Sequence, residues 1–581
     1  MDQTRNRELL SLTAILTTAA CGLGALVVLV KKFSLNQGEN KIVRARQRRA
    51  VSLKAAEEAV LKYREAHPGT DAPAILSLSL SELTKCLRDG SLSPEDVFYS
   101  YMEKTLDVNK RLNCCTGILL ESFDQLKTVG SSKEGLLYGV PISIKENIDY
   151  KGYDSTCGVV SRLEQPAPVD SVLVEVLKRQ GAIPFVKTNI PQSMLNYDCG
   201  NPIYGQTLHP RNPQKTPGGS SGGEGALIAT GGSLLGCGTD IGGSIRFPAS
   251  FCGICGFKPT AGRLSSKGIS SISRGQKSVL ASVGPLARDV DSLALFMQAV
   301  LCDHLFSLDP TVPPIPFNLE IYQSSRPLRI GYFEDDSYQQ PSPSMIRSLR
   351  EVKALLERAG HTVVPFTLPR IRYALMELTL KGVLADGGVT MLNSLKGCPL
   401  DPCLSSQILP YYLPNPVKKL LSFLLKPLFP RGAASLNSLR GVGSVPGLWK
   451  QHASVEDYIH ETIAEWRRCE LDVLLCPMLG PAFKALYPGK LTCATSYTII
   501  YNALNFPAGA VPVDTVTAED EEELKHYEGK FKDFWDRLFK EAVSGAEGLP
   551  TAVQCVALPW QDELCLRFMR EVEQLVKQNR K

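Results

Sequence analysis

The sequence predicts an α/β protein: a large, mixed, mostly parallel twisted sheet in an α/β/α arrangement, preceded by one membrane-spanning helix. Three observations carry this. Short apolar runs alternate with amphipathic helical stretches, the pattern of a sheet covered by helices. A content of 44% hydrophobic and 21% charged residues is ordinary for a globular chain and excludes a disordered, collagenous or coiled-coil architecture. Leu9 to Val30 is 22 residues without a charge. At 581 residues the chain exceeds one small domain, but a single large α/β body can absorb that length.

The uncharged N-terminal stretch would reach about 33 Å as a helix, enough for a hydrocarbon core of about 30 Å. A secretory signal peptide is the rival, with a shorter apolar region and its basic flank in front. Here the stronger basic flank follows: Lys31, Lys32, Lys41, Arg44, Arg46, Arg48 and Arg49 stand against Glu39 alone. That favours a single membrane anchor with the body in the cytosol, while the small residues at Ala19-Ala20 keep a cleaved signal as the alternative. The segment carries the basicity of the whole chain, whose net charge is only +5, so a general nucleic-acid binder is excluded. Residues 41–66 read as a charged helix, a solvated neck lying on anionic lipid, and Asp71 to Ala74 as a linker. The division is therefore an anchor over 1–32, a neck and linker over 33–75, and a body over 76–581.

In the body, Ser79 with Glu82 forms a capping box, and Ser93-Pro94 opens a second helix. Leu136 to Ile144 (LLYGVPISI) reads as a buried strand. Ser171 to Gln180 is an amphipathic helix that Gly181 ends, and Ala182 to Lys187 is the next strand. Arg329 to Phe333, helical Ser344 to Ala359 and His361 to Phe366 repeat the alternation, hence a largely parallel sheet. Thr311 to Pro316 is a Pro-rich loop. The stretch 404–429 mixes Leu, Phe and Tyr with Lys418, Lys419 and Lys426, broken repeatedly by Pro. It fits an amphipathic cap at a membrane interface and a buried helical hairpin equally well.

Seventeen cysteines without a paired framework, and no Asn-x-Ser/Thr sequon, fit a reducing compartment. Cys252 and Cys255 are a lone C-x-x-C, better read as packed residues in a turn than as a metal or redox site. No cofactor or metal motif is present.

The chemistry concentrates in Gly218 to Ser250, GGSSGGEGALIATGGSLLGCGTDIGGSIRFPAS. Two Gly-rich turns each carry a serine, Ser220 and Ser244. Glycine lets the backbone approach a ligand, and successive N–H groups in such turns can hold an oxyanion. A phosphate loop is excluded because neither of its glycine patterns occurs. Gly218 to Gly222 matches Gly-x-Ser-x-Gly, but the residues before it read as loop rather than the strand a nucleophile elbow needs, and no histidine has a distinctive setting. A serine hydrolase without histidine needs another base. Lys145, at the end of an apolar strand, is the candidate, because burial can depress a lysine pKa.

These residues resemble the amidase signature family. The Gly218–Ser250 stretch matches the signature, YGVPISIKENID matches the family's lysine-bearing strand, and the likeness spans roughly residues 76–575. The N-terminal anchor and 404–429 make it similar to the membrane-bound branch that cleaves lipid amides. The resemblance implies a Ser-Ser-Lys triad: Ser244 as nucleophile, Lys145 as neutral base, and Ser220 relaying the proton beside a cis peptide bond. It implies an oxyanion hole of the N–H groups of Ile241, Gly242, Gly243 and Ser244. Ser221 would support the relay. Asp240 and Arg246 would support the site or form a purely structural ion pair. Met194 would touch the substrate, and Leu195, Leu384 and Trp535 would line an acyl channel, where leucines at 195 and 384 replace the phenylalanines of the mammalian pattern.

The resemblance further implies no cofactor, a homodimer, a lipid amide substrate drawn from the bilayer, and an endoplasmic reticulum or other internal membrane. Three alternatives compete: a paralogue with altered amide or ester preference, the soluble glutamine amidase of a transamidation complex, and a non-catalytic lipid-binding scaffold.

Overall fold

The computed structural model describes residues 37–129 and 133–580. Its strands are β1 (Cys115–Ile118), β2 (Pro141–Lys145), β3 (Ile183–Thr188), β4 (Gly200–Asn201), β5 (Gly205–Gln206), β6 (Leu235–Asp240), β7 (Cys255–Lys258), β8 (Ser282–Ala287), β9 (Arg329–Tyr332), β10 (Thr362–Pro365), β11 (Val473–Pro477), β12 (Ala508–Thr515) and β13 (Pro550–Val556). Eleven of them form one sheet in the order β1-β3-β2-β6-β8-β7-β12-β13-β11-β9-β10, and β4 and β5 pair separately.

The sheet is mixed, as predicted, but it is not mostly parallel. Parallel pairing is confined to β3–β2–β6 on one side and β11–β9–β10 on the other. From β6 through β8, β7, β12 and β13 to β11 every pair is antiparallel, as is the edge pair β1–β3. The alternation visible in sequence belongs to the two flanks, where helical crossovers return the chain in one direction. In the centre β7 reaches β8 by a loop, and nothing in the apolar pattern reports that reversal.

Both faces of the sheet are buried. Val473 and Leu475 point into one core, Leu474 and Cys476 into the other, as the two-residue period of a strand requires. The helices Val172–Arg179, Val290–Val300, Pro343–Arg358 and Asp562–Asn579 cover the first face. Arg246–Cys252, Ser496–Ala503 and Phe534–Val543 cover the second. The layers are therefore α/β/α.

Local signals place most elements within a residue or two. Ser79 and Glu82 close the capping box, and Ser93 caps Pro94–Leu112. Ser171 caps Val172–Arg179. The strand expected over 136–144 runs instead from Pro141 to Lys145, because Leu136–Val140 is a turn with Gly139 at φ 71°. The supposed linker at Asp71 is the N-cap of the helix Ala72–Ser77.

The charged neck is helical over residues 37–66, but it is docked rather than solvated. Ile42, Ala45, Ala56 and Val60 bury one face against the body. Arg46 donates to the carbonyls of Pro202 and Ile203, Arg49 to Asn109 and Asn113, and Arg44 and Arg48 pair with Glu164 and Asp154. Small residues at helical spacing made this stripe hard to see among so many charges. Among the described residues no helix is long and apolar enough to cross a membrane. The expected span over residues 9–30 lies outside the described residues.

The stretch 404–429 is neither wholly buried nor wholly surface. It lies in the helices Pro402–Ile408 and Asn415–Leu425, joined by a 3-10 turn. Leu404, Ile408 and Tyr411 face inward, and Lys418 is buried with its Nζ donating to the Leu439 carbonyl at 3.2 Å. On the outside Leu409, Leu420, Leu424, Phe423 (74% exposed) and Leu428 (84%) face solvent.

Candidate active site

Three adjacent parallel strands end at one place. Lys145 closes β2, Thr188 closes β3, and Thr239-Asp240 close β6. The carboxyl end of parallel strands is the usual ligand position in α/β sheets. The two Gly-rich turns pack there.

Lys145 has no solvent exposure. Its Nζ donates to Ser220 Oγ at 2.7 Å and to Thr239 Oγ1 at 2.9 Å. Burial pushes its pKa down to about 7, against a smaller opposing pull from Asp240. A lysine that is neutral near physiological pH can accept a proton, which an exposed one cannot.

Ser220 is held by backbone geometry. The Gly219–Ser220 peptide is cis, and a Cβ on Gly219 would fall 2.1 Å from the Asp198 carbonyl oxygen. Only glycine fits there. Ser221 begins the helix Gly222–Ala229 as its N-cap, and its N–H donates to the Ser244 carbonyl at 3.1 Å. The turn carrying Ser244 is thereby fixed against the turn carrying Ser220.

Asp240 shapes the Ser244 turn. Its Oδ1 accepts from the N–H of Gly243 at 2.7 Å, and its Oδ2 from that of Ile245 at 3.1 Å. Arg246 makes a two-pronged pair with the same carboxylate, with both side chains fully buried. Burial by itself raises the Asp240 pKa, but the Arg246 guanidinium reverses this and holds it well below the ordinary carboxylate range. Arg246 also donates to the Thr498 carbonyl, Asn502 and Gln554. The pair is a brace for the turn.

One expected oxyanion donor is engaged in this structure: the Gly243 N–H donates to Asp240. The N–H groups of Ile241, Gly242 and Ser244 have no hydrogen-bond partner among the described residues. Gly243 instead supplies a backbone twist, at φ 123°, where a Cβ would meet the Phe247 ring at 2.5 Å.

Met194, Leu195 and Leu384 pack in one apolar cluster with Met391, Leu404, Ile408 and Leu436. Met194 and the preceding Ser193 both have positive φ, strain of a kind that gathers at functional sites. A cavity of about 630 Å³ is lined by Leu195, Leu384 and Met391 together with Arg274, Arg440 and His452. That volume suits a small-molecule ligand. The structure does not bring Trp535 into this cluster. Trp535 stacks edge-on against Phe429, 4.8 Å between centroids, in the core beneath the helix Phe534–Val543.

Sequence reasoning missed Thr239 and Glu224, both inside the signature stretch. Thr239 reads as an ordinary strand residue, and only the fold brings it to Lys145. Cys252 and Cys255 are buried free thiols, and among the described residues no His/Cys/Asp/Glu group could hold a metal.

The Amidase family model matches residues 96–566. The chain belongs to the amidase family. Among its amidase relatives, fatty-acid amide hydrolase 1 of Sus scrofa is 52% identical over 561 residues, covering 97% of this chain and 96% of that protein. Vitamin D3 hydroxylase-associated protein of Gallus gallus is 54% identical over 442 residues, 76% of this chain and 95% of that one. A solved fatty acid amide hydrolase superposes with a TM-score of 0.77 at 25% identity, covering 92% of this chain and 95% of the other. The amidase fold thus accounts for the mixed sheet and the two glycine turns, and the chain is an amidase-family hydrolase.

Proposed function

We propose that this amidase hydrolyses fatty acid amides, N-acylethanolamines and primary amides among them, to a free fatty acid and an amine through an acyl-enzyme. The observation that carries the reading is the 2.7 Å hydrogen bond from a wholly buried Lys145 to Ser220, with the Ser244 turn fastened beside it. The relatives named as fatty-acid amide hydrolases and the apolar cluster that holds Met194, Leu195 and Leu384 support the substrate class.

Neutral Lys145 takes the Ser220 proton as Ser220 takes that of Ser244. Ser244 Oγ bonds to the amide carbon, and the carbonyl electron pair moves to oxygen. The N–H groups of Ile241, Gly242 and Ser244 stabilise that oxyanion. As the C–N bond breaks, Ser220 gives its proton to the nitrogen and regains one from Lys145. An amide nitrogen leaves poorly unless protonated, so one chain serving as base and then acid suits the reaction. Water, deprotonated by the same relay, then releases the fatty acid from Ser244.

The outward apolar residues of 404–429 would seat the body on a bilayer, where a long-chain amide resides. The same reading carries a homodimer on the cytosolic face of an internal membrane, anchored through residues 9–30.

The test is hydrolysis of a long-chain N-acylethanolamine by membranes holding the wild type, Ser244→Ala or Lys145→Ala. Loss with Ser244→Ala and a large but incomplete reduction with Lys145→Ala support the reading. Hydrolysis of short amides alone would discard the lipid substrate, and activity retained by Ser244→Ala would sink the mechanism.

A further inference from the structure

Glu224 lies in the first turn of the helix Gly222–Ala229 and has no exposure to solvent. The relay of Lys145, Ser220 and Ser244 does not use it. Two hydroxyls from two strands hold it. Ser143 Oγ on β2 is 2.5 Å from Oε2, and Thr188 Oγ1 on β3 is 2.9 Å from Oε1. Ser143 sits two residues before Lys145 on the same face of β2, and Thr188 is the residue paired with Lys145 across the β2–β3 ladder. The helix carrying Glu224 starts two residues after Ser220. One carboxyl therefore ties the helix behind Ser220 to both strands that end at the lysine.

The protons can be counted. Ser233 Oγ donates to the Leu235 carbonyl at 2.9 Å and faces Ser143 Oγ at 3.1 Å. With its own proton directed to that carbonyl, Ser233 Oγ is free to accept from Ser143. When Ser143 donates there, its 2.5 Å contact with Oε2 takes a proton from a neutral Glu224; when Ser143 donates to Oε2 instead, Ser233 Oγ receives no proton. Thr188 donates to Oε1. Every O–H in the chain then has an acceptor. An ionised Glu224 would instead sit in a buried shell with no cation hydrogen-bonded to it, which is costly. Burial also pushes this carboxyl up to about 8.

We infer that Glu224 is a positioning residue, a neutral carboxylic acid that holds Lys145 and Ser220 in register and, by carrying no charge, keeps Lys145 unprotonated. The inference rests on the reading of Lys145 as the base. The titratable groups that face Glu224 are Lys145 on β2 and Cys237 on β6; Asp240, Cys199 and Cys157 act on Lys145 from its other sides. A charge on Glu224 would favour the Lys145 ammonium and remove the base.

The test compares pH profiles of kcat and kcat/KM for the full chain in membranes, as wild type, E224Q, E224A and K145A. Glutamine can donate to Ser143 and accept from Thr188 while carrying no charge. E224Q is expected to stay within about threefold of wild type, its acid limb moved by less than about 0.3 pH unit. E224A is expected to lose about 10²-fold in kcat with KM nearly unchanged, as a misplaced base would. The infrared difference between wild type and E224Q is expected to contain the carbonyl stretch of a protonated carboxylic acid. An acid limb shifted down by about one pH unit in E224Q would identify a charged counter-ion and overturn the inference. So would the absence of the infrared band, which E224Q still decides if E224A fails to fold. An acid limb that survives in K145A would overturn the base assignment instead, while the infrared band continues to report on Glu224 alone.

Discussion

Lys145 shows how burial becomes chemistry. Its ammonium is disfavoured where bulk solvent does not reach it, so its pKa falls to about 7 and the neutral amine can take a proton. Below about pH 7 the lysine is charged and cannot act as a base, so kcat/KM should rise with pH through about 7 and level off above it. Replacing Lys145 with alanine should remove that limb, and a pH series on both proteins checks it. Thr239 supplies the second acceptor for Nζ, at 2.9 Å. Thr239→Val removes it without changing shape. A lost hydrogen bond to a group of this kind is worth about 1–1.5 kcal/mol, so kcat should fall about tenfold. The acceptor also stabilises the ammonium, so the acid limb should move to lower pH.

At the scale of elements, 402–425 has two different faces. Leu404 and Ile408 complete the apolar cluster around Leu384, while Phe423, Leu424 and Leu428 have nothing in the described chain to cover them. Leu421 is partly buried in that cluster, so changing it would disturb packing as well as any surface contact. The outward residues are the better probes. In protein lacking residues 1–36, Phe423→Glu, Leu424→Glu and Leu428→Glu together should reduce co-sedimentation with phospholipid vesicles at least about 10²-fold, since burying each such side chain is worth about 1.5–3 kcal/mol. Unchanged sedimentation would remove the membrane-facing role from this surface.

Across the whole molecule, the site is assembled from distant parts of the chain. Arg246 joins Asp240 on β6 to Thr498 and Asn502 on the helix Ser496–Ala503 and to Gln554 on β13. It therefore clamps the Ser244 turn to the centre of the sheet. Arg246→Leu would strand the Asp240 carboxylate in the interior, a loss of about 3–5 kcal/mol. Denaturant unfolding should register that loss, and activity should fall with it because Gly243 and Ile245 lose their anchor. Undiminished stability would mean that Asp240 finds another partner.

Much of this was legible in the residues themselves. The Ser79–Glu82 capping box, the helix–strand alternation of the flanks, the two glycine turns with Ser220 and Ser244, and a lysine ending an apolar strand are local patterns, governed by forces acting over a few residues. The direction of the central strands, the docking of the basic helix, the capture of Gly243 by Asp240 and the separation of Trp535 from Leu195 and Leu384 were not. Each depends on contacts between segments far apart in the chain, where one apolar or charged residue suits several partners equally well. Lys145 marks the boundary: the sequence by itself singled it out, but only the closed tertiary structure shut it off from bulk solvent and placed Ser220, Thr239 and Glu224 around it.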